Sequence, residues 1–149
     1  MTIAEFIDIT EEKLIAQGRK CVKADGACQY RNDAGEGCAI GVHIPLDVYE
    51  KALEGEWIGP LNATVPAIQH IFEGLPVRLL QSAQLMHDSF ECHGYYNYEW
   101  CREDWPTYIR RESKELRRRY CPMPIPPPVV DDPFMDDEVD KEVEELCCV

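Results

Sequence analysis

Thr2-Ile3-Ala4-Glu5-Phe6-Ile7-Asp8-Ile9-Thr10-Glu11-Glu12-Lys13-Leu14-Ile15-Ala16-Gln17-Gly18 carries the marks of a helix at both ends. Thr2 with Glu5 three residues on is a capping box, in which the hydroxyl accepts from the backbone of residue 5 and the carboxylate from that of Thr2. Ile3, Phe6, Ile7, Leu14 and Ile15 fall roughly on one helical face, and Gly18 supplies a left-handed stop. Thr10-Glu11-Glu12-Lys13 offers a second start, so a break near Thr10 is an alternative.

Similar signals recur downstream. Thr64-Val65-Pro66 starts a helix with Thr64 as cap and Pro66 in the first turn; Ile68, Ile71 and Phe72 form its apolar face and Gly74 ends it. Pro76 opens a largely apolar helix with Val77, Leu79, Leu80, Ala83, Leu85 and Met86, ending near Phe90. Asp104-Trp105-Pro106 begins the last long helix, which runs to about Tyr120. Between these, two short segments flank Asp25-Gly26, a hairpin signal over roughly residues 20–31. Residues 32–37 read as a loop, and Cys38 to Ile44 as a buried turn of helix or strand. That stretch, closed by Pro45, leads into a helix over Leu46 to Leu53, and Gly55 and Gly59-Pro60 punctuate a further loop. Tyr95 to Trp100 reads as an ordered aromatic loop. The fold class is mainly α with a small β-hairpin (α+β), a single compact helical domain over residues 1–120.

After Tyr120 the composition changes. Residues 121–128 read as a proline-rich linker and 129–149 as an acidic disordered tail, too poor in apolar surface to offset its ordering entropy. The 149 residues hold 15 Lys+Arg against 28 Asp+Glu, a net −13. Nine of those acids and only Lys141 lie in residues 121–149, which is −8 and leaves −5 for the rest. This sign opposes nucleic-acid binding by the intact chain and docking on anionic lipid. No apolar run is long enough to span a membrane. Glu5 and Asp8 stand where a signal peptide carries positive charge, so the expected compartment is a cytoplasm, with reduced thiols.

Few residues are candidates for chemistry. Cys38 follows a Gly-rich loop at a possible helix start, where a dipole lowers a thiol pKa, and His43, His87 and Asp88 are the available bases and orienters. Against a Cys-His-Asp arrangement, His87 and Asp88 are adjacent on a helix and point about 100° apart, so Asp88 is not expected to orient His87. The competing reading is buried polar residues bonding loop backbone. Eight cysteines invite a zinc site, but no C-x-x-C occurs, and the set His87, Cys92, His93 and Cys101 has irregular intervals. No metal and no cofactor is expected. For partner contact the candidates are Phe134, Met135 and the stripe Val139, Val143 and Leu146 in the tail, with Tyr95, Tyr96, Trp100 and Trp105 of the aromatic region. Arg110, Arg111, Lys114, Arg117 and Arg118 form a basic pole that faces polyanions or takes the folded-back tail. Removing the tail is expected to unmask weak, salt-sensitive polyanion binding.

Cys28-Gln29-Tyr30-Arg31, Gly37-Cys38-Ala39-Ile40-Gly41, Ile44-Pro45, Tyr49, Leu79-Leu80-Gln81 and His87-Asp88 resemble a pattern in small uncharacterised bacteriophage and bacterial proteins. The resemblance covers about residues 5 to 115 and brings no activity with it. It implies a phage or prophage accessory protein in a bacterial host cytoplasm. The reading is a non-enzymatic protein that binds, and in one form inhibits, a host or phage protein. The alternatives are a cysteine-dependent hydrolase or transferase centred on Cys38, and a zinc-stabilised binding module.

Overall fold

Helix α1 spans Ile3–Gln17 in the computed structural model, which describes residues 1–23, 27–90 and 103–121. The tail at 129–149, the linker beyond Cys121 and the aromatic stretch Tyr95 to Trp100 lie outside the described residues. The Thr2 hydroxyl accepts from the Glu5 N–H, and Glu5 Oε2 receives the Thr2 N–H at 2.7 Å. Gly18, at φ 74°, closes the helix by donating to Leu14 and Ile15. There is no break at Thr10, because its hydroxyl donates back to the Phe6 carbonyl at 2.7 Å from a buried position.

Four further helices follow among the described residues: α2 at Ile58–Thr64, α3 at Pro66–Ile71, α4 at Val77–Ser89 and α5 at Trp105–Tyr120. Helix α2 replaces the expected loop around Gly59-Pro60, since proline is tolerated in a first turn whose N–H groups have no intrahelical partner. Thr64 therefore ends α2, its hydroxyl donating to the Pro60 carbonyl, and Val65 rather than Thr64 sits at the N-cap of α3. At α5 the Asp104 carboxylate caps the Thr107 N–H at 2.8 Å.

Helix α5 lies between α1 and α4, while α2 packs on both α4 and α3. Phe6, Ile7 and Leu14 of α1 join Leu79, Leu80, Ala83 and Met86 of α4 and Trp105, Tyr108, Ile109 and Leu116 of α5 in one core. Helices of seven and six residues do not stand alone in water, so α2 and α3 depend on burying Ile58, Leu61 and Ile68. Each such side chain contributes about 1.5–3 kcal/mol.

The hairpin near residues 20–31 is not present: no strand occurs among the described residues, only isolated antiparallel bridges at Val22–Cys28 and Arg31–Gly37. Across the first bridge the Lys23 and Gln29 N–H groups donate to the Ala27 and Cys21 carbonyls at 2.7 and 3.2 Å, but the neighbouring donors are taken from outside. Cys21 N–H donates to His87 Nε2, and the N–H groups of Tyr30 and Arg31 donate to the two oxygens of Glu54 at 3.1 Å each. The helix expected over Leu46 to Leu53 is likewise reduced to a turn on the Pro45 carbonyl and one 3-10 turn at Lys51–Leu53. Tyr49, inside that stretch, spends its hydroxyl on Glu54 at 2.6 Å. The Arg31 guanidinium binds the carbonyls of Gly41 and Ile44 at 3.1 and 2.8 Å. Gly41 approaches so closely that a Cβ there would lie 1.6 Å from the Tyr30 carbonyl oxygen.

Among the described residues no helix is long and apolar enough to cross a membrane. The Gly41 contact generates a test. Gly41→Ala drives a methyl into backbone and is expected to cost about 4 kcal/mol or more, leaving little folded protein in a urea titration. Gly59→Ala, whose added methyl meets only the flexible end of Gln81, is expected to cost less than about 1 kcal/mol in the same measurement.

Candidate functional site

His87 ends the core face of α4 with its imidazole fully buried. Its Nε2 lies 3.1 Å from the Cys21 backbone N–H, which only donates, so that nitrogen carries the lone pair. The proton is therefore on Nδ1, which lies 3.0 Å from Asp88 Oδ1. This overturns the expectation that adjacency on a helix keeps Asp88 from orienting His87. The reason is that both side chains turn onto the same segment, where the Cys28 thiol bonds the Asp88 carboxylate and Lys20 Nζ donates to the Asp88 carbonyl at 2.9 Å. Burial works to raise the Asp88 carboxyl, but the hydrogen bonds from His87 and Cys28 and the Lys20 charge hold it below the usual carboxylate range.

Cys28, His87 and Asp88 bring ligand-type atoms within 4.8 Å of one another and are the metal candidates among the described residues. Sequence reading grouped His87 with Cys92, His93 and Cys101, which lie outside the described residues, and gave Cys28 no such role. A metal on Nδ1 requires a proton on Nε2, directed at the Cys21 N–H; the imidazole tautomer thus suits a hydrogen-bond bridge rather than a cation.

The proposed nucleophile Cys38 is 2% exposed, and its sulfur receives the Gly41 N–H at 3.3 Å. Burial pushes its thiol far up, the opposite of activation. Burial and Asp88 push Cys28 up to about 12, and burial pushes Cys21 up to about 11. His43 does not serve Cys38: its Nε2 lies 2.8 Å from the Thr10 hydroxyl and its ring stacks on Phe6 with centroids 4.5 Å apart. Burial, aided by the Lys13 charge, lowers His43 to about 4.

Trp105, expected at a contact surface, is instead core. It is 4% exposed, donates from Nε1 to the Leu14 carbonyl at 2.6 Å and packs edge-on against His87 and Phe90. The basic pole is mostly matched by acids of the folded part. Arg117 pairs with Asp8 and Glu11 of α1, Arg111 with Glu103 and Glu112, and Arg118 with Glu115. Arg110 and Lys114 are exposed and make no ion pair among the described residues.

The open apolar surface lies elsewhere. Trp57, Arg78, Gln81, Ser82, Leu85 and Tyr120 line a groove of about 520 Å³. Trp57 is 54% exposed and Leu85 55%. The Tyr120 hydroxyl, bonded to Ser82 Oγ and donating to the Arg78 carbonyl at 3.0 Å each, fixes the end of α5 as one wall. Val77, Gln81 and Leu85 recur every four residues, away from the buried Leu79, Leu80, Ala83 and Met86; that spacing separates an outer row, with exposed Val77 and Leu85 on either side of the Gln81 amide, from the core face of α4. Trp57 carried no such signal, being a lone aromatic in a stretch read as loop.

No protein-family model matches the chain, and neither a curated protein nor a solved structure matches it.

Two outcomes follow from the histidines. His43 stays neutral in the fold while the unfolded chain takes up a proton below about pH 6.5, so stability falls as pH drops from 6.5 towards 4, by up to about 3 kcal/mol. The urea midpoint of the wild type is expected to fall more steeply over that range than that of His43→Phe. For His87, long-range ¹H–¹⁵N spectra are expected to show the Nδ1–H tautomer at neutral pH, unchanged by one equivalent of zinc; a zinc-induced switch to Nε2–H would place a metal at the cluster.

Proposed function

We propose that this chain is a non-enzymatic interaction protein, a phage-type accessory factor that binds a host or phage protein in the bacterial cytoplasm. The observation that carries this reading is the groove walled by Trp57, Leu85 and Tyr120, where a half-exposed tryptophan and leucine stand beside fixed polar atoms. Large aromatic side chains at the centre of such a surface supply most of the affinity in protein contacts. The groove suits an extended apolar segment of the partner, with backbone carbonyls within reach of the Gln81 amide and a negative group beside Arg78. The buried, hydrogen-bonded Cys38 and the bridging role of His87 favour binding over cysteine chemistry. The tail residues Phe134, Met135, Val139, Val143 and Leu146, with Tyr95, Tyr96 and Trp100, are proposed as a second contact region.

The test compares full-length wild type with Trp57→Ala and Leu85→Glu as baits in a bacterial lysate. A protein held by the wild type is expected to be retained at least about tenfold more weakly by each variant at unchanged thermal stability. Equal retention by all three removes the groove as the binding surface.

A further inference from the structure

Helix α5 ends on the groove. Tyr120, its last residue, forms one wall, and Cys121, still packed against the core, is the next. The sequence continues Pro122-Met123-Pro124-Ile125-Pro126-Pro127-Pro128-Val129-Val130, nine residues without a charged or hydrogen-bonding side chain, and then Asp131-Asp132. An apolar run of this length next to an apolar groove that the described residues leave open has an obvious place to lose its contact with water. Prolines restrict the run before it docks, so little conformational entropy remains to be lost, and aromatic-lined grooves with nearby donors are the surfaces that take such segments.

Reach and charge agree with this. Seven residues from Pro122 to Pro128 span roughly 22 Å when extended, longer than a groove whose walls both touch one cavity of about 520 Å³. The segment is joined to a wall residue through Cys121 alone, so closing the loop costs little and the effective concentration is in the millimolar range. Arg78 lines the groove and makes no ion pair among the described residues, while residues 122–149 carry a net −8.

We infer that residues 122–130 of this same chain occupy the Trp57–Leu85–Tyr120 groove as an internal pseudo-ligand, which a partner must displace. This rests on the proposal that the groove is the binding surface, and it adds what regulates it. Binding then depends on competition with the chain's own proline run, and any event that draws the acidic tail away exposes the groove.

The test uses full-length protein, isotope-labelled, at micromolar concentration. The Trp57 indole signal is assigned by its loss in Trp57→Phe. In the wild type, nuclear Overhauser contacts are expected between the Trp57 ring and proline δ protons. In the variant Pro126→Gly/Pro127→Gly/Pro128→Gly these contacts are expected to vanish and the Trp57 indole to shift towards the free-indole position. The Trp105 indole, bonded to the Leu14 carbonyl, stays in place and reports an intact fold. An unmoved Trp57 signal in the proline variant overturns the inference. So do contacts that appear only between differently labelled chains, which would seat a second copy in the groove. The two proposals fail separately. If Trp57→Ala loses the partner while the proline variant leaves Trp57 unmoved, the groove binds partners but not the proline run. If the proline variant frees Trp57 while Trp57→Ala keeps its partner, the internal contact stands and the partner binds elsewhere.

Discussion

The backbone between α1 and α2 has to be satisfied without regular structure, and the rest of the fold depends on how that is done. About forty residues, from Gly18 to Trp57, contain only two 3-10 turns and isolated bridges among those described. A segment of that length, buried at Cys21, Tyr30 and Gly37 to Val42, brings many peptide groups out of water, each needing a partner. Side chains supply them. Glu54 takes two successive N–H groups, Arg31 binds two carbonyls, and Asn32 Oδ1 accepts from Ala34 and Glu36. His87 accepts from Cys21, and Gln17 Oε1 from Gly37. Removing one such side chain leaves buried polar groups unpaired, which costs more than a surface hydrogen bond is worth.

The residues whose types and spacing stand out in the sequence between Cys28 and His87 are largely these same ones. Tyr30, Arg31, Gly41, Ile44, Tyr49 and His87 each make or permit a contact that ties the irregular segment down. Cys38 and Ala39 fill space beneath it. A pattern built of cysteine, arginine, tyrosine, glycine and histidine reads as chemistry, because those residue types also make active sites. Here they act on the chain's own amides and carbonyls.

Helices were legible wherever a local signal sufficed. The capping box at Thr2–Glu5, Asp104 before Trp105-Pro106 and the glycine at position 18 act within one turn, and they mark α1 and α5 correctly. The signals that misled were local ones overruled from a distance. Asp25-Gly26 suggests a hairpin, but pairing stops at a single bridge, because the next donors, Cys21, Tyr30 and Arg31, go to His87 and Glu54 from elsewhere in the chain. Trp105 resembled an exposed anchor because it adjoins an aromatic stretch, and it is buried because α1 offers it the Leu14 carbonyl, 91 residues away. The groove joins Trp57 to Leu85 and Tyr120, a juxtaposition made by packing α2, α4 and α5 and absent from any window of sequence.

The pairing of α1 with α5 also sets a timetable. Helix α1 has its apolar face covered by the last helix described, through Trp105 to Leu14, 91 residues apart, and through Arg117 to Asp8 and Glu11, more than a hundred apart. At typical elongation rates the nascent chain therefore carries Phe6, Ile7 and Leu14 without their final cover for on the order of ten seconds. During that interval the uncovered face of α1 is open to non-native apolar contacts.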